Sequence, residues 1–330
     1  MSFKSTIIIP SFTHPNFLET TVEALVRNSF YKHKIMIVGS DPVKVDGRNA
    51  ADDFKVNQNF ERYQKYKSVN EFLNNRENWL KKNNVVYVDT TDAAKKLRVE
   101  YAKGNVYGGK TFMENGVDIA FKNNIGLELV TTDFVMPNWD DDFYPGWHWD
   151  KPLFDYADLF TEDDKFVFVP THVQPYLMRQ YPKWENAWTD ARYEAPNRLV
   201  LPLVRRDQVL YESEFFSYCD AMRRDDAIVE TCGKSAIIAK DDGTTKSLFT
   251  ESIIMKPDGT TEFLAARDSY SQVHYLPIMY RTNQIRTVGC YSYIGTGYDL
   301  EMDVQMGRNG FFKISPRSSF IMHKGWVVEQ

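Results

Sequence analysis

Cysteine is scarce in this chain and badly spaced for chemistry: Cys219, Cys232 and Cys290 are the only three in 330 residues, with no CxxC pair among them. An odd, scattered set excludes a fully paired disulfide framework and a four-cysteine zinc site, and points to a reducing compartment, the cytoplasm. Long apolar runs are absent as well. No stretch approaches the roughly 18 residues of a membrane span, and no charged-then-apolar leader opens the chain, so the expectation is a soluble protein with no membrane partner. Excess positive charge is missing too. A formal net charge of -5 speaks against a chain-wide grip on nucleic acid and leaves room only for a local basic face. One phosphate-binding signature is also lacking. The glycine cluster Gly104-Asn105-Val106-Tyr107-Gly108-Gly109 is not a dinucleotide fingerprint.

What is present is a globular composition, 43% apolar and 26% charged, long enough for one large α/β domain or two smaller ones. Nineteen Tyr and seven Trp suit a protein that grips flat or ring-shaped ligands, and core packing is an equally physical use for them. Thr6-Ile7-Ile8-Ile9-Pro10 reads as a strand buried on both faces of a parallel sheet, and Ser11 to Pro15 as a loop. Asn16 with Glu19 predicts a helix start, with Leu18, Val22, Leu25 and Val26 on one face. Lys34 to Asp41 is a second buried strand, completing a β-α-β unit whose ligand loops lie at the carboxyl ends of the strands. A helix is expected over 69–82, a third strand over Asn84–Asp89, and another helix over Lys110–Lys122.

The run from Leu127 to Trp147 organises the rest. A stretch rich in β-formers delivers Asp140, Asp141 and Asp142 to a strand end, and Pro145-Gly146 closes a turn after them. Three adjacent carboxylates repel one another, and a hard divalent ion with oxygen ligands relieves that repulsion; a solvated acidic turn is the other reading of the same residues. Farther on, Val167–Pro170 and Leu199–Leu203 read as short strands, and Ile253 to Leu264 as a hairpin around Pro257-Asp258-Gly259. Between them lies an aromatic segment, Tyr176 to Tyr193, with Trp184 and Trp188, either a wall of an acceptor cleft or a local apolar cluster. Gly295-Thr296-Gly297 then opens a helix carrying Asp299 and Glu301 in its first turns. The helix dipole favours acids there, and a loop-to-helix junction also suits a general base. The strand Phe320 to Trp326 carries a single histidine, His323.

Taken in order, these places make the sequence resemble the GT-A glycosyltransferases, most closely family two, over roughly residues 5–147 and 287–325. Thr6 to Phe12 looks like the opening strand and its Pro-Ser-aromatic loop; Asp140-Asp141-Asp142 looks like the DxD motif; Gly109 and Asn115 match the donor-side helix. Tyr298-Asp299 stands where the family has Glu-Asp, with Asn309-Gly310-Phe311 after it, and Gly39-Ser40 stands where an Asp pair is common, which displaces that role to Asp41. The resemblance implies an α/β fold of GT-A type, a Rossmann-like, mostly parallel central sheet flanked by helices with a mixed α/β insert. Residues 1–147 would bind the nucleotide-sugar, 148–330 would bind the acceptor and catalyse, and an insert would occupy about 165–285.

It further implies a metal-dependent, inverting transfer of sugar from a nucleotide-sugar, UDP-sugar favoured, to a hydroxyl acceptor. Mn²⁺ or Mg²⁺ would be held by Asp140, Asp142 and His323, and the donor by Pro10, Phe12, Asp41, Lys110, Asn115 and Asp140. Asp299, with Glu301 second, would be the base, and Trp184, Trp188, Arg205 and Arg206 would meet the acceptor. The Asn-, Lys-, Tyr- and Phe-rich composition resembles enzymes of large tailed phages, which implies double-stranded DNA with hydroxymethylated cytosine as an acceptor and Arg205-Arg206 and Arg223-Arg224 as its basic rim. A glycan or protein acceptor, a nucleotidyltransferase, and a non-catalytic sugar- or nucleic-acid-binding module remain the alternatives.

Overall fold

The computed structural model describes residues 2–11, 15–40, 44–45, 48–49, 69–73, 76–103, 117–140, 142–144, 148–173, 225–233, 237–239, 245–247, 252–264, 277–292 and 298–323. The helices are α1 (Pro15–Asn28), α2 (Val69–Leu73), α3 (Glu77–Lys82), α4 (Thr91–Lys103), α5 (Val117–Leu129), α6 (Lys151–Ala157), α7 (Thr282–Val288) and α8 (Tyr298–Arg308). The strands are β1 (Ser5–Ser11), β2 (His33–Gly39), β3 (Lys44–Val45), β4 (Arg48–Asn49), β5 (Val85–Asp89), β6 (Phe134–Pro137), β7 (Asp142–Phe143), β8 (Phe166–Phe168) and β9 (Thr171–Val173). They continue as β10 (Ala227–Thr231), β11 (Ile237–Ala239), β12 (Thr245–Ser247), β13 (Ser252–Met255), β14 (Thr261–Leu264), β15 (Tyr280–Arg281), β16 (Phe312–Pro316) and β17 (Phe320–His323).

The chain is mixed α/β with a central, mostly parallel sheet flanked by helices. That sheet runs β15-β6-β1-β2-β5, with β1, β2, β5 and β6 parallel and only the edge strand β15 antiparallel. The unbroken apolar run of β1 follows from this position, because both faces are covered. Ile7, Ile9, Ile35 and Ile37 pack on one face against Leu18, Val22 and Leu25 of α1 and Phe72 of α2. Ile8, Met36 and Val38 pack on the other against Ala120 and Leu127 of α5 and Met302 and Met306 of α8. Gly126 brings α5 down onto the sheet, since a Cβ there would meet Ile8 Cγ2 at 2.6 Å. A second sheet, β14-β13-β10-β16-β8, is mostly antiparallel, and β17 lies between β7 and β9 in a third. Gly307 lets α8 lie directly against the Cys232 carbonyl at the end of β10, which fixes the helix bearing Asp299 and Glu301.

Several local expectations change. α1 begins at Pro15, so Asn16 is inside the helix and Pro takes the first helical position, where its missing N–H costs nothing. Val26 is exposed at its end, while Thr21 and Ala24 are buried. The helix expected over 69–82 is two short helices, α2 and α3. Thr91–Lys103 is a helix that its weak apolar periodicity did not announce; Asp89 accepts the Thr91 N–H at 2.9 Å at its start. The stretch from Leu127 belongs first to α5, and the strand proper is Phe134–Pro137. Short apolar runs do not distinguish the two states by periodicity, and here Ala120 and Leu127 face the sheet at helical spacing. The hairpin of β13 and β14, the helix at 298 and the strand at 320 stand as expected. Leu199–Leu203 and the aromatic segment from Tyr176 to Tyr193 lie outside the described residues.

Candidate functional site

The strand order itself locates the site. From β1 the chain moves outward through β2 to β5, then returns to place β6 on the other side of β1. The carboxyl ends of β1 and β6 therefore flank the point where the winding reverses, and in open α/β sheets ligands bind in the crevice there. The ladder between these strands ends at Ile8–Pro137, with one further bond from Asn138 N–H to Ile8 O at 2.9 Å. Pro10 lies beyond it, where a missing donor on the β6 side is tolerated.

Asp140 and Asp142 sit at this crevice, 8% and 0% exposed. The segment carrying them is tied to the sheet and to α1. Ser11 Oγ donates to Asp140 Oδ2 at 2.7 Å, so the last residue of β1 holds the carboxylate that follows β6. The Thr21 hydroxyl faces two carbonyls, Asp142 O at 2.6 Å and Asp140 O at 2.9 Å, and shares its one hydrogen between them. Tyr144 donates to Asn138 Oδ1, and Asn28 Nδ2 donates to the Tyr144 carbonyl. Burial, and next the charge of Asp142, push the Tyr144 phenol well above its ordinary value, so it stays a donor. Thr21→Val should strip two buried carbonyls of their shared donor and cost about 1–3 kcal/mol, read by denaturant unfolding, with Thr21→Ser close to the unaltered chain.

Position 323 enters through register. β17 runs antiparallel to β7 with His323 directly opposite Asp142. Among the described residues no group of three His, Cys, Asp or Glu side chains is gathered to hold a metal ion, and Asp141 is outside them. Phe12, Asp41, Lys110, Asn115, Trp184, Trp188, Arg205, Arg206, Arg223 and Arg224 also lie outside the described residues.

Asp299 and Glu301 occupy the first turn of α8. Asp299 accepts the Leu300 N–H at 2.9 Å, yet its carboxyl is raised above the ordinary value, chiefly by burial, with the charge of Asp303 one helical turn away adding to it. Its own charge reaches the buried Tyr291, raised foremost by burial. Tyr291 is clasped by Asn124 of α5, which accepts its N–H at 2.7 Å and donates to its carbonyl at 2.8 Å. The same helix touches β1 through Lys122, whose Nζ donates to Ser11 O at 3.0 Å. α5 thus links the Ser11–Asp140 end of the crevice to the loop leading toward Asp299. Glu301 Oε1 accepts from Gln305 at 3.3 Å, and its other oxygen is buried with no hydrogen-bond partner among the described residues.

Sequence reasoning found the acids and missed what holds them: Ser11 as a donor, Thr21, Asn124 and the Asp118–Lys122 pair. The one available signal was an Asp and a Lys four apart on one helix, Asp118 and Lys122. A separate trio at the opposite edge, Ser5 Oγ to His33 Nδ1 and His33 Nε2 to Asp150 Oδ2, each 2.8 Å, resembles a nucleophile relay. Its Ser5 is 2% exposed, and Asp150 also accepts the Phe30 and Tyr31 N–H groups, so it pins the start of the sheet.

No helix among the described residues is long and apolar enough to cross a membrane. No protein-family model and no curated protein sequence matches the chain. Among solved structures, the chain is similar to that of TarS residues 1–349 from S. aureus, with a TM-score of 0.44 and 11% identity, covering 97% of this chain and 60% of that one. It is also similar to GalNAc-T7 with UDP, GalNAc and Mn²⁺, at a TM-score of 0.43 and 10% identity, over 97% of this chain and 44% of that one. The chain thus spans less than two thirds of either. At these scores neither likeness bears on what this chain binds or does.

Proposed function

We propose that this chain is a metal-dependent glycosyltransferase of GT-A type that moves a sugar from a nucleotide-sugar, a UDP-sugar first, to a hydroxyl acceptor. The observation that carries the reading is the pair of buried carboxylates, Asp140 and Asp142, anchored at the switch point of a parallel sheet. Hard oxygen donors of this kind fit Mn²⁺ or Mg²⁺. Asp142 with Asp140 would hold the ion, and the register that sets His323 opposite Asp142 supports the histidine as a third ligand. When bound, the cation supplies Lewis-acid stabilisation of the charge that develops on a diphosphate leaving group.

The remaining work falls to the chain's own residues. Asp299 takes the proton of the acceptor hydroxyl, and its raised carboxyl is the property a general base near neutral pH needs; Glu301 is the second candidate. Attack in line with such a base inverts the anomeric carbon. In this reading Pro10, Phe12, Asp41, Lys110, Asn115 and Asp140 would bind the donor, and Trp184, Trp188, Arg205 and Arg206 the acceptor. Hydroxymethylated cytosine in double-stranded DNA is the first acceptor to screen, on the strength of the composition, followed by glycan and protein hydroxyls.

The test is turnover. Incubated with UDP-sugars and Mn²⁺, the protein should release UDP, faster with the right acceptor and not at all in excess chelator. Donor bound without any release in metal would instead make the chain a sugar-binding module.

A further inference from the structure

The contact that holds Asp140 is itself held, and the connection ends on a buried lysine. Lys122 is 0% exposed on the sheet side of α5, and its ammonium pairs with Asp118 Oδ2 at 2.6 Å, one turn back on the same helix. It also donates to the carbonyl of Ser11 at 3.0 Å, and Ser11 Oγ donates in turn to Asp140 at 2.7 Å. All four residues are buried, from 0% to 8% exposed.

We infer that Lys122 is a positioning residue for the metal carboxylate Asp140, acting through Ser11, an inference that rests on the metal-dependent reading above. Ser11 lies beyond the β1–β6 ladder, which ends at Ile8–Pro137, so on the crevice side no strand pairing among the described residues fixes its peptide; on the other side it is in register with Gly39. An ammonium locked by Asp118 fixes the Ser11 carbonyl, and a fixed peptide fixes the direction of the Ser11 hydroxyl. That hydroxyl occupies one oxygen of Asp140 and so sets which way the other faces.

Stability alone does not explain the arrangement. Replacing a buried ion pair by uncharged groups of similar volume is often neutral or stabilising, so a pair kept at this spot is tied to what it touches. Partners one step behind a metal ligand typically change metal affinity by about 10- to 100-fold when removed.

The test is a Mn²⁺ titration followed by the electron paramagnetic resonance of the free ion, with thermal unfolding of the same samples. The double variant Asp118→Asn/Lys122→Met removes both charges together and should fold with a midpoint near that of the unaltered chain, yet bind Mn²⁺ about 10- to 100-fold more weakly. Ser11→Ala, a one-atom truncation, should show the same loss. The triple variant should bind no more weakly than the worse of the two, because both cut one connection. Asp118→Asn alone removes the charge beside the buried Lys122 and should lower the unfolding midpoint below that of the double variant, which removes both charges together. An unchanged Mn²⁺ affinity in the double variant or in Ser11→Ala overturns the proposal, as do losses that multiply in the triple variant. If the unaltered chain takes up no Mn²⁺ at all, the metal-dependent reading falls first and this inference with it.

Discussion

Asp299→Asn is expected to lower sugar transfer by about 10²- to 10⁴-fold, the usual contribution of a positioned general base, while leaving nucleoside-diphosphate binding intact. The same change should raise stability at neutral pH. Burial lifts the folded-state pKa of Asp299 above the ordinary 3.8, with the Asp303 charge adding to it. Between those two values the folded chain binds the extra proton, so stability falls as pH rises through the window, and the penalty is fully present above it. Asparagine carries no such penalty and its Oδ1 still accepts the Leu300 N–H. The variant should therefore melt above the unaltered protein at neutral pH, and the difference should close as pH falls below the ordinary carboxylate value. Unchanged transfer by the variant would move the base to Glu301, and a lower melting point at neutral pH would contradict the burial argument.

Asp142→Ala is expected to have the larger effect on binding. Asp142 is fully buried at the crevice, and its backbone carbonyl is already held by Thr21, so truncation removes the carboxylate without releasing the segment. Loss of a direct ligand should exceed the roughly 10- to 100-fold effect of an outer partner, so metal-dependent nucleotide binding should vanish over any practical Mn²⁺ range. Calorimetry with the diphosphate, run with Mn²⁺ and again in excess chelator, reads this directly. Binding by the unaltered chain that is undiminished in chelator would refute the metal role outright.

The parallel sheet was legible because β1 and β2 carry continuous apolar runs rich in β-branched residues, the pattern of strands covered on both faces. The placement of Asp140 and Asp142 after a strand was legible from the β-formers that precede them, Phe134 to Pro137. The boundary between α5 and β6 was not, since Leu127 to Val135 mixes helical and extended spacing and only contact with Ile8 and the sheet decides it. The supporting shell was invisible for a different reason. Ser11, Thr21 and Lys122 are 111 residues apart at the extremes, from Ser11 to Lys122, and nothing local marks a serine, a threonine or a lysine as aimed at a distant carbonyl. Tertiary placement alone gives those side chains their roles.

The most direct test of the central claim is a thermal-shift series on the unaltered protein with UDP, GDP, CDP and ADP, each with and without Mn²⁺. A ligand at about 100 times its dissociation constant stabilises the folded state by about 2.7 kcal/mol, enough to move the midpoint by several degrees. One diphosphate, UDP, should raise the midpoint, and only when Mn²⁺ is present. No shift with any diphosphate, or a shift that ignores the metal, would contradict it.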